Sequence, residues 1–203
     1  KELYEKHAKQ LESEGYKIST LDLREPYSSA RWNPMQVLIR RIRQVRELQN
    51  DLKQEDGKYY ACGEMFLSHG DARTRVQELK DEIFENAMDL VYTLCPVQNK
   101  DQPTWEEGAR NLIFGLVLAC EDCIAGKMDE KQLQLFNVYH NITKYCSEDT
   151  TALKKYLLEG REEFSKVRGL VNTVLITSDK TLTSYLSEVN SYMQQLADDG
   201  ILS

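Results

Sequence analysis

The 203-residue sequence has no glycine-rich phosphate loop. Gly57-Lys58 and Gly126-Lys127 lack both the first glycine and the following Ser or Thr of a G-x-x-x-x-G-K-[ST] cradle. It also lacks H-E-x-x-H and G-x-S-x-G, and its three histidines, His7, His69 and His140, are scattered. A nucleotide cradle, a zinc-hydrolase site and a serine triad are therefore unsupported, and the expected catalytic residues are none. An excess of positive charge is missing too. Lys and Arg total 26 against 33 Asp and Glu, giving a formal net charge of −7 and a pI near 5.1. A whole-surface nucleic-acid binder leans the other way, so DNA contact is expected to be weak and local, and basic protein partners fit the bulk charge better.

Long apolar runs are equally scarce. The longest, Leu112 to Cys120, is about half the ~20 residues that a membrane span needs. The opening stretch, Lys1 to Glu14, is charged throughout and does not read as a signal peptide. Five cysteines, Cys62, Cys95, Cys120, Cys123 and Cys146, make an odd number without regular spacing, which reads as reduced cytosolic thiols rather than an extracellular framework. The sequon at Asn141-Ile142-Thr143 is then a chance match.

What is present is mostly helical pattern. Leu3, Tyr4, Ala8 and Leu11 recur at helical spacing and Gly15 is placed to end that helix. Tyr16 to Leu23 alternates and reads as one strand whose sheet partners lie outside this chain. Asn33 caps and Pro34 opens a helix with a stripe of Met35, Leu38, Ile42, Val45 and Leu52. Gln54 to Gly70 reads as a loop or long connection. A second long helix is expected from about Asp71, with Val76, Leu79, Ile83, Ala87, Leu90 and Leu94 on one face and Pro96 as its stop. Thr104 and Glu107 form a capping box for a helix that Gly126 ends. That helix is apolar on two sides, Trp105, Ala109, Leu112 and Leu116 on one and Ile113, Val117, Cys120 and Ile124 on the other, so it should be central. Trp105 is expected to be a buried anchor. Further helices follow around Leu133–Cys146, Ala152–Leu158, Phe164–Ile176 and Leu182–Leu196.

Three clusters could carry recognition chemistry. Cys120 and Cys123 share a helix face, but without a second clear pair the better reading is buried thiols and no metal. Arg31, Arg40, Arg41, Arg43 and Arg46 form the dense basic cluster. Arg40, Arg43 and Arg46 either touch an acidic or phosphate-bearing partner or form a solvated helix face, with the solvated face preferred. Glu106, Glu107, Glu121 and Asp122 lie on the polar edges of the central helix and are candidates for partner binding, part of them complementing the helix N-terminus.

Ser28-Ser29 followed by Trp32-Asn33-Pro34-Met35 resembles the S-x-x-W-N-P-L element of the TraG/TraD family, the membrane-anchored hexameric coupling ATPases of bacterial conjugation and type IV secretion. Lys1-Glu2-Leu3-Tyr4 looks like the remainder of that family's D-x-K-G-E segment, and Gly15-Tyr16-Lys17-Ile18 like its G-Y-x-V strand. Asp101 to Arg110, D-Q-P-T-W-E-E-G-A-R, is similar to its D-P-x-W-x-x-G-A-R helix start. Met35 stands where Leu is usual, and Thr104 replaces a common aromatic.

The resemblance spans nearly the whole chain. It implies a mainly α multi-helix bundle with a short N-terminal helix–strand fragment of an α/β nucleotide-binding domain. Residues 1–30 would belong to that domain, 31–178 would be the all-α domain, and 179–203 a helix returning toward the nucleotide-binding domain. Trp32, Asn33, Pro34 and Trp105 would be structural motif residues. The implied function is substrate recognition by the all-α domain, engaging relaxosome or accessory proteins at the cytoplasmic face of the cell membrane. ATP and Mg would belong to the parent protein, no cofactor would sit in this chain, and the chain by itself would be no enzyme. The alternative is a free-standing helical regulatory module that binds a protein and is soluble in the cytoplasm.

Overall fold

The computed structural model describes residues 2–17, 33–97, 103–145, 150–159, 161–162 and 165–194. Among these the chain is mainly helical with a small three-stranded antiparallel sheet. Helix α1 spans Glu2–Ser13, and Gly15 ends it at φ +88°, with the Gly15 and Tyr16 N–H groups donating to the carbonyls of Glu12 and Leu11. Gly is suited to that left-handed C-terminal position because it has no β-carbon to clash. Ala8 of α1 is buried, outside the core cluster of the remaining helices. The expected strand at Tyr16–Leu23 falls mostly outside the described residues; Tyr16 and Lys17 themselves are not strand.

Helix α2 (Gln36–Asn50) begins two residues later than the sequence suggests: Met35 holds the cap position, and Asn33 and Pro34 form the turn before it. Asn33 Oδ1 accepts from the Met35 N–H at 2.9 Å, and Asn33 Nδ2 donates to the Leu133 carbonyl at 2.8 Å, tying the helix entry to a segment a hundred residues away. Met35, Leu38, Ile39, Ile42, Val45 and Leu48 are all buried.

The segment read as a loop is instead a meander: β1 (Lys53–Glu55), β2 (Lys58–Ala61) and β3 (Glu64–Phe66), in the order β1-β2-β3. Both turns take two residues at positive φ, Asp56 (+49°) with Gly57 (+75°), then Cys62 (+56°) with Gly63 (+75°). This is the tight hairpin geometry whose twist matches paired strands, and Asp-Gly is its common sequence form. The hairpin signal was present at Asp56-Gly57, but strands of three or four residues leave too little alternation to recognise. Register pairs Tyr59 with Phe66 and Tyr60 with Met65; Phe66 and Ala61 are buried while Met65 is half exposed.

Helix α3 (His69–Leu94) starts two residues before Asp71. Ser68 is its cap: its hydroxyl accepts from the Asp71 N–H while the Asp71 carboxylate accepts from the Ser68 N–H. Helix α4 (Thr104–Leu118) has no such box. Pro103 occupies the cap position, Thr104 is the first helical residue, and the Glu107 N–H donates to the Pro103 carbonyl. Thr104 therefore lies one residue inside the cap position, where it cannot form with Glu107 the capping box that the sequence suggested.

The two-sided pattern does make α4 central. Leu112 through Leu118 are buried without interruption, and α4 packs against α3, α5 (Leu135–Tyr145), α7 (Lys166–Leu175) and α8 (Asp179–Gln194). The helix tightens into a 3-10 turn at Ala119–Cys123 before Gly126, at φ +71°. Helix α6 (Thr151–Lys154) runs into a π-helical turn at Lys155–Glu159. The described part of the segment beyond 178 joins the bundle, with Leu182, Tyr185, Val189 and Met193 of α8 buried in the same core. No helix among the described residues is long and apolar enough to cross a membrane.

Candidate interaction surfaces

The acidic residues named from sequence do not form one face. Glu106 and Glu107 sit in the first turn of α4, while Glu121 and Asp122 sit in the 3-10 turn beyond its end, ~22 Å along the axis at 1.5 Å per residue. Asp122 is taken up internally: its carboxylate accepts from both Arg161 terminal nitrogens, at 3.0 and 2.9 Å, and the two side chains are only 17% and 9% exposed. Arg161 also lies 5.4 Å from the centre of the Tyr156 ring. Glu121 is half-buried, and that burial raises its carboxyl above the usual range although Lys166, Arg161 and Lys80 oppose it. Asp122 thus holds the fold together at that end rather than presenting a docking face.

The arginines divide similarly. Arg43 lies opposite the apolar stripe as expected, but it donates three hydrogen bonds of 2.8 to 3.0 Å to the Glu130 carboxylate, which holds that carboxyl below its usual range. Arg41 links α2 to α3: its Nε lies 2.8 Å from Glu82 Oε2, off the hydrogen-bonding line, so the contact is ionic, while Nη1 donates to Gln44. Glu82 also meets Arg75, which reaches Glu64 on β3 and Glu78. Arg40 and Arg46 are exposed. Arg46, with Arg43, Asn50, Lys53, Tyr60 and Glu130, lines an open cleft of about 780 Å³ between α2 and the meander. Its charges are mixed, since Glu47, Asp51 and Glu64 line it too, so it is not a phosphate cradle.

Cys62 forms the tip of that cleft. The Glu47 carboxylate accepts its N–H, its Sγ lies 3.4 Å from the Gln44 carbonyl, and burial with the nearby Glu47 charge pushes its thiol up to about 11. Burial also pushes Cys95 up to about 12 and Cys123 up to about 11, and raises Cys120 further. Thiols so disfavoured as thiolates are poor nucleophiles and poor metal ligands. Among the described residues no group of three or more Cys, His, Asp or Glu could hold a metal ion.

Trp105 is the largest departure from the sequence reading. It is 41% exposed, with its indole against the Tyr185 ring at 5.4 Å between centroids and 53° between planes. A residue at the second position of a helix points back over the entering chain, beyond the region that neighbouring helices cover. Around it the end of α3, the start of α4 and the side of α8 bring aromatic residues together. Tyr92 near the end of α3 is 50% exposed, and the Arg110 guanidinium stacks 4.3 Å from its ring centre while Arg110 Nε donates to the Cys95 carbonyl at 2.9 Å. From α8 come Tyr185 and, two turns on, Tyr192, whose hydroxyl donates to the Pro96 carbonyl at 3.2 Å. Burial raises the Tyr192 hydroxyl, helped by Glu106 and Glu188.

The sequence reading missed Tyr92, Arg110, Tyr185 and Tyr192, because their convergence is tertiary. Trp32 lies outside the described residues. Asn33 and Pro34 are joints of the fold, and so is Gly108, on which Tyr185 rests. The chain matches no family model, no curated protein and no solved structure at a significant level.

Proposed function

We propose that this chain is a protein-recognition domain whose docking surface is the Tyr92–Trp105–Arg110 end of the bundle. The observation that carries the reading is the exposure of a Trp and a Tyr, 41% and 50%, beside an arginine where the end of α3 meets the start of α4. Trp, Tyr and Arg are the residues that dominate binding energy in protein interfaces, because they bring large rigid area and a polar handle together. Most of the other charged residues near the helix crossings are spent in internal pairs, such as Arg161–Asp122 and Arg43–Glu130.

Its biological setting, in this reading, is the all-α domain of a conjugative or type IV secretion coupling ATPase, which engages relaxosome or accessory proteins at the cytoplasmic face of the membrane. The support is the ordered pair of motifs, with Asn33-Pro34 at the entry to α2 and Trp105 to Arg110 opening the central helix. Hexamer formation, ATP and Mg then belong to the parent protein, while the chain itself carries recognition and no catalysis. Reading the gene on either side of the segment tests this setting. A P-loop and membrane-spanning helices encoded upstream support it; a frame with neither moves the same docking surface to a free-standing regulatory module. Calorimetry of the isolated chain with ATP and Mg should register no binding, and micromolar affinity would contradict the division of labour.

A further inference from the structure

We infer that the outer edge of β1 pairs antiparallel with the same edge of a second copy of this chain, about a two-fold axis at Gln54. β1 ends the β1-β2-β3 order, while β3 at the other edge packs against α3. Lys53, Gln54 and Glu55 are all exposed. The Asp56-Gly57 turn makes its flanking residues, Glu55 and Lys58, a pair that exchanges backbone hydrogen bonds. Such pairs alternate along an antiparallel ladder, so Gln54 directs its N–H and C=O away from β2. Among the described residues neither group has a partner outside the sheet. Residues 33–97, which surround β1 in sequence, are described without a break.

A short, charged edge ordinarily resists pairing. The order Lys53-Gln54-Glu55 makes one arrangement an exception. With the two Gln54 residues opposite each other, each Lys53 lies opposite the Glu55 of the other copy, and the Gln54 backbones exchange both N–H···O bonds. Parallel pairing in register would set Lys against Lys and Glu against Glu, which disfavours it. A foreign strand would need the same K-x-E order, which this chain supplies in itself. A two-fold contact of this kind closes after two copies. Its three-residue length and the charge of −7 on each copy keep the association weak, so it appears at high concentration.

The test is sedimentation equilibrium of the chain from ~0.05 to ~1 mM, the range of a weak, small interface, with amide NMR shifts recorded over the same range. A monomer–dimer equilibrium should appear, with the largest shifts at residues 53–55. Lys53→Glu sets Glu opposite Glu across the two-fold but keeps the hairpin's own Glu55–Lys58 pair, and should weaken the dimer at least ~fivefold. Mixing that variant with a Glu55→Lys chain should restore pairing, now between the two variants, which supports the Lys53–Glu55 register. Gln54→Pro removes the outward N–H, which the sheet does not use, and should weaken the dimer ~tenfold or more while leaving the urea midpoint of the chain in place. Association equal to that of the unaltered chain in either Lys53→Glu or Gln54→Pro would overturn the proposal. A chain that stays monomeric at ~1 mM would overturn the second copy as occupant and leave the edge to a foreign strand or to solvent.

Discussion

The ring of Tyr185 rests directly on Gly108: a β-carbon there would lie 2.3 Å from Cε1 and 2.5 Å from Cδ1. One heptad further on, a β-carbon on Gly115 would lie 2.2 Å from Cγ1 of Val171. These two glycines let α8 and α7 approach the central helix closely. Gly108 also lets Tyr185 sit against Trp105, so the glycine of the W-E-E-G-A-R motif sets the height of the aromatic end.

Gly108→Ala should therefore destabilise the fold. Ala is the better helix former by about 1 kcal/mol, but forcing a methyl into a packed ring costs about 1–3 kcal/mol. We expect a net loss of up to ~2 kcal/mol in chemical denaturation, together with a changed Trp105 environment in fluorescence. A stabilised Gly108→Ala protein would show that Tyr185 can move away freely.

Much of the helical architecture was legible in the sequence, because α2, α3 and α4 carry apolar stripes long enough to set a period. Leu38, Ile42 and Val45 are buried as their spacing requires. The meander was not, since its strands are too short for a period and only Asp56-Gly57 marked it. Trp105 was misjudged because apolar spacing predicts which face of a helix is covered but not how far along the helix that cover extends. Asp122 was misjudged because its partner Arg161 lies 39 residues away and no local pattern announces it.

A second prediction concerns that pair. Asp122→Asn should cost about 3 kcal/mol, because it leaves the largely buried Arg161 guanidinium without its charge partner. Arg161→Met together with Asp122→Leu should recover much of the loss, since an apolar pair needs no desolvation. Urea unfolding of the three variants measures both. A single variant as stable as the parent would mean the pair is open to water.

Glu121 gives a pH-dependent prediction. Burial raises its carboxyl in the folded state above its ordinary value of 4.5, so the ionised form opposes folding at neutral pH. Glu121→Gln should therefore be more stable than the parent at pH 7. As pH falls through the raised value the parent's carboxyl takes up a proton in the folded state first, and the advantage of the variant should shrink. Melting curves at pH 7 and pH 4.5 check this. An advantage that grows on acidification has the wrong sign for a raised carboxyl.

Under the proposed setting, a coupling ATPase that contains this chain, the most direct measurement is conjugative transfer with Tyr92→Ala and Trp105→Ala in place, cellular protein levels held equal by immunoblot. Recognition through the aromatic end requires transfer to fall at least ~tenfold, as for loss of a paired interface hot spot. Arg40→Ala, at an exposed position of α2 whose neighbour Arg41 pairs with Glu82, ten residues before Tyr92 on α3, should leave transfer within ~twofold. Undiminished transfer by the Tyr92–Trp105 double variant, or a greater loss from Arg40→Ala, would contradict the account.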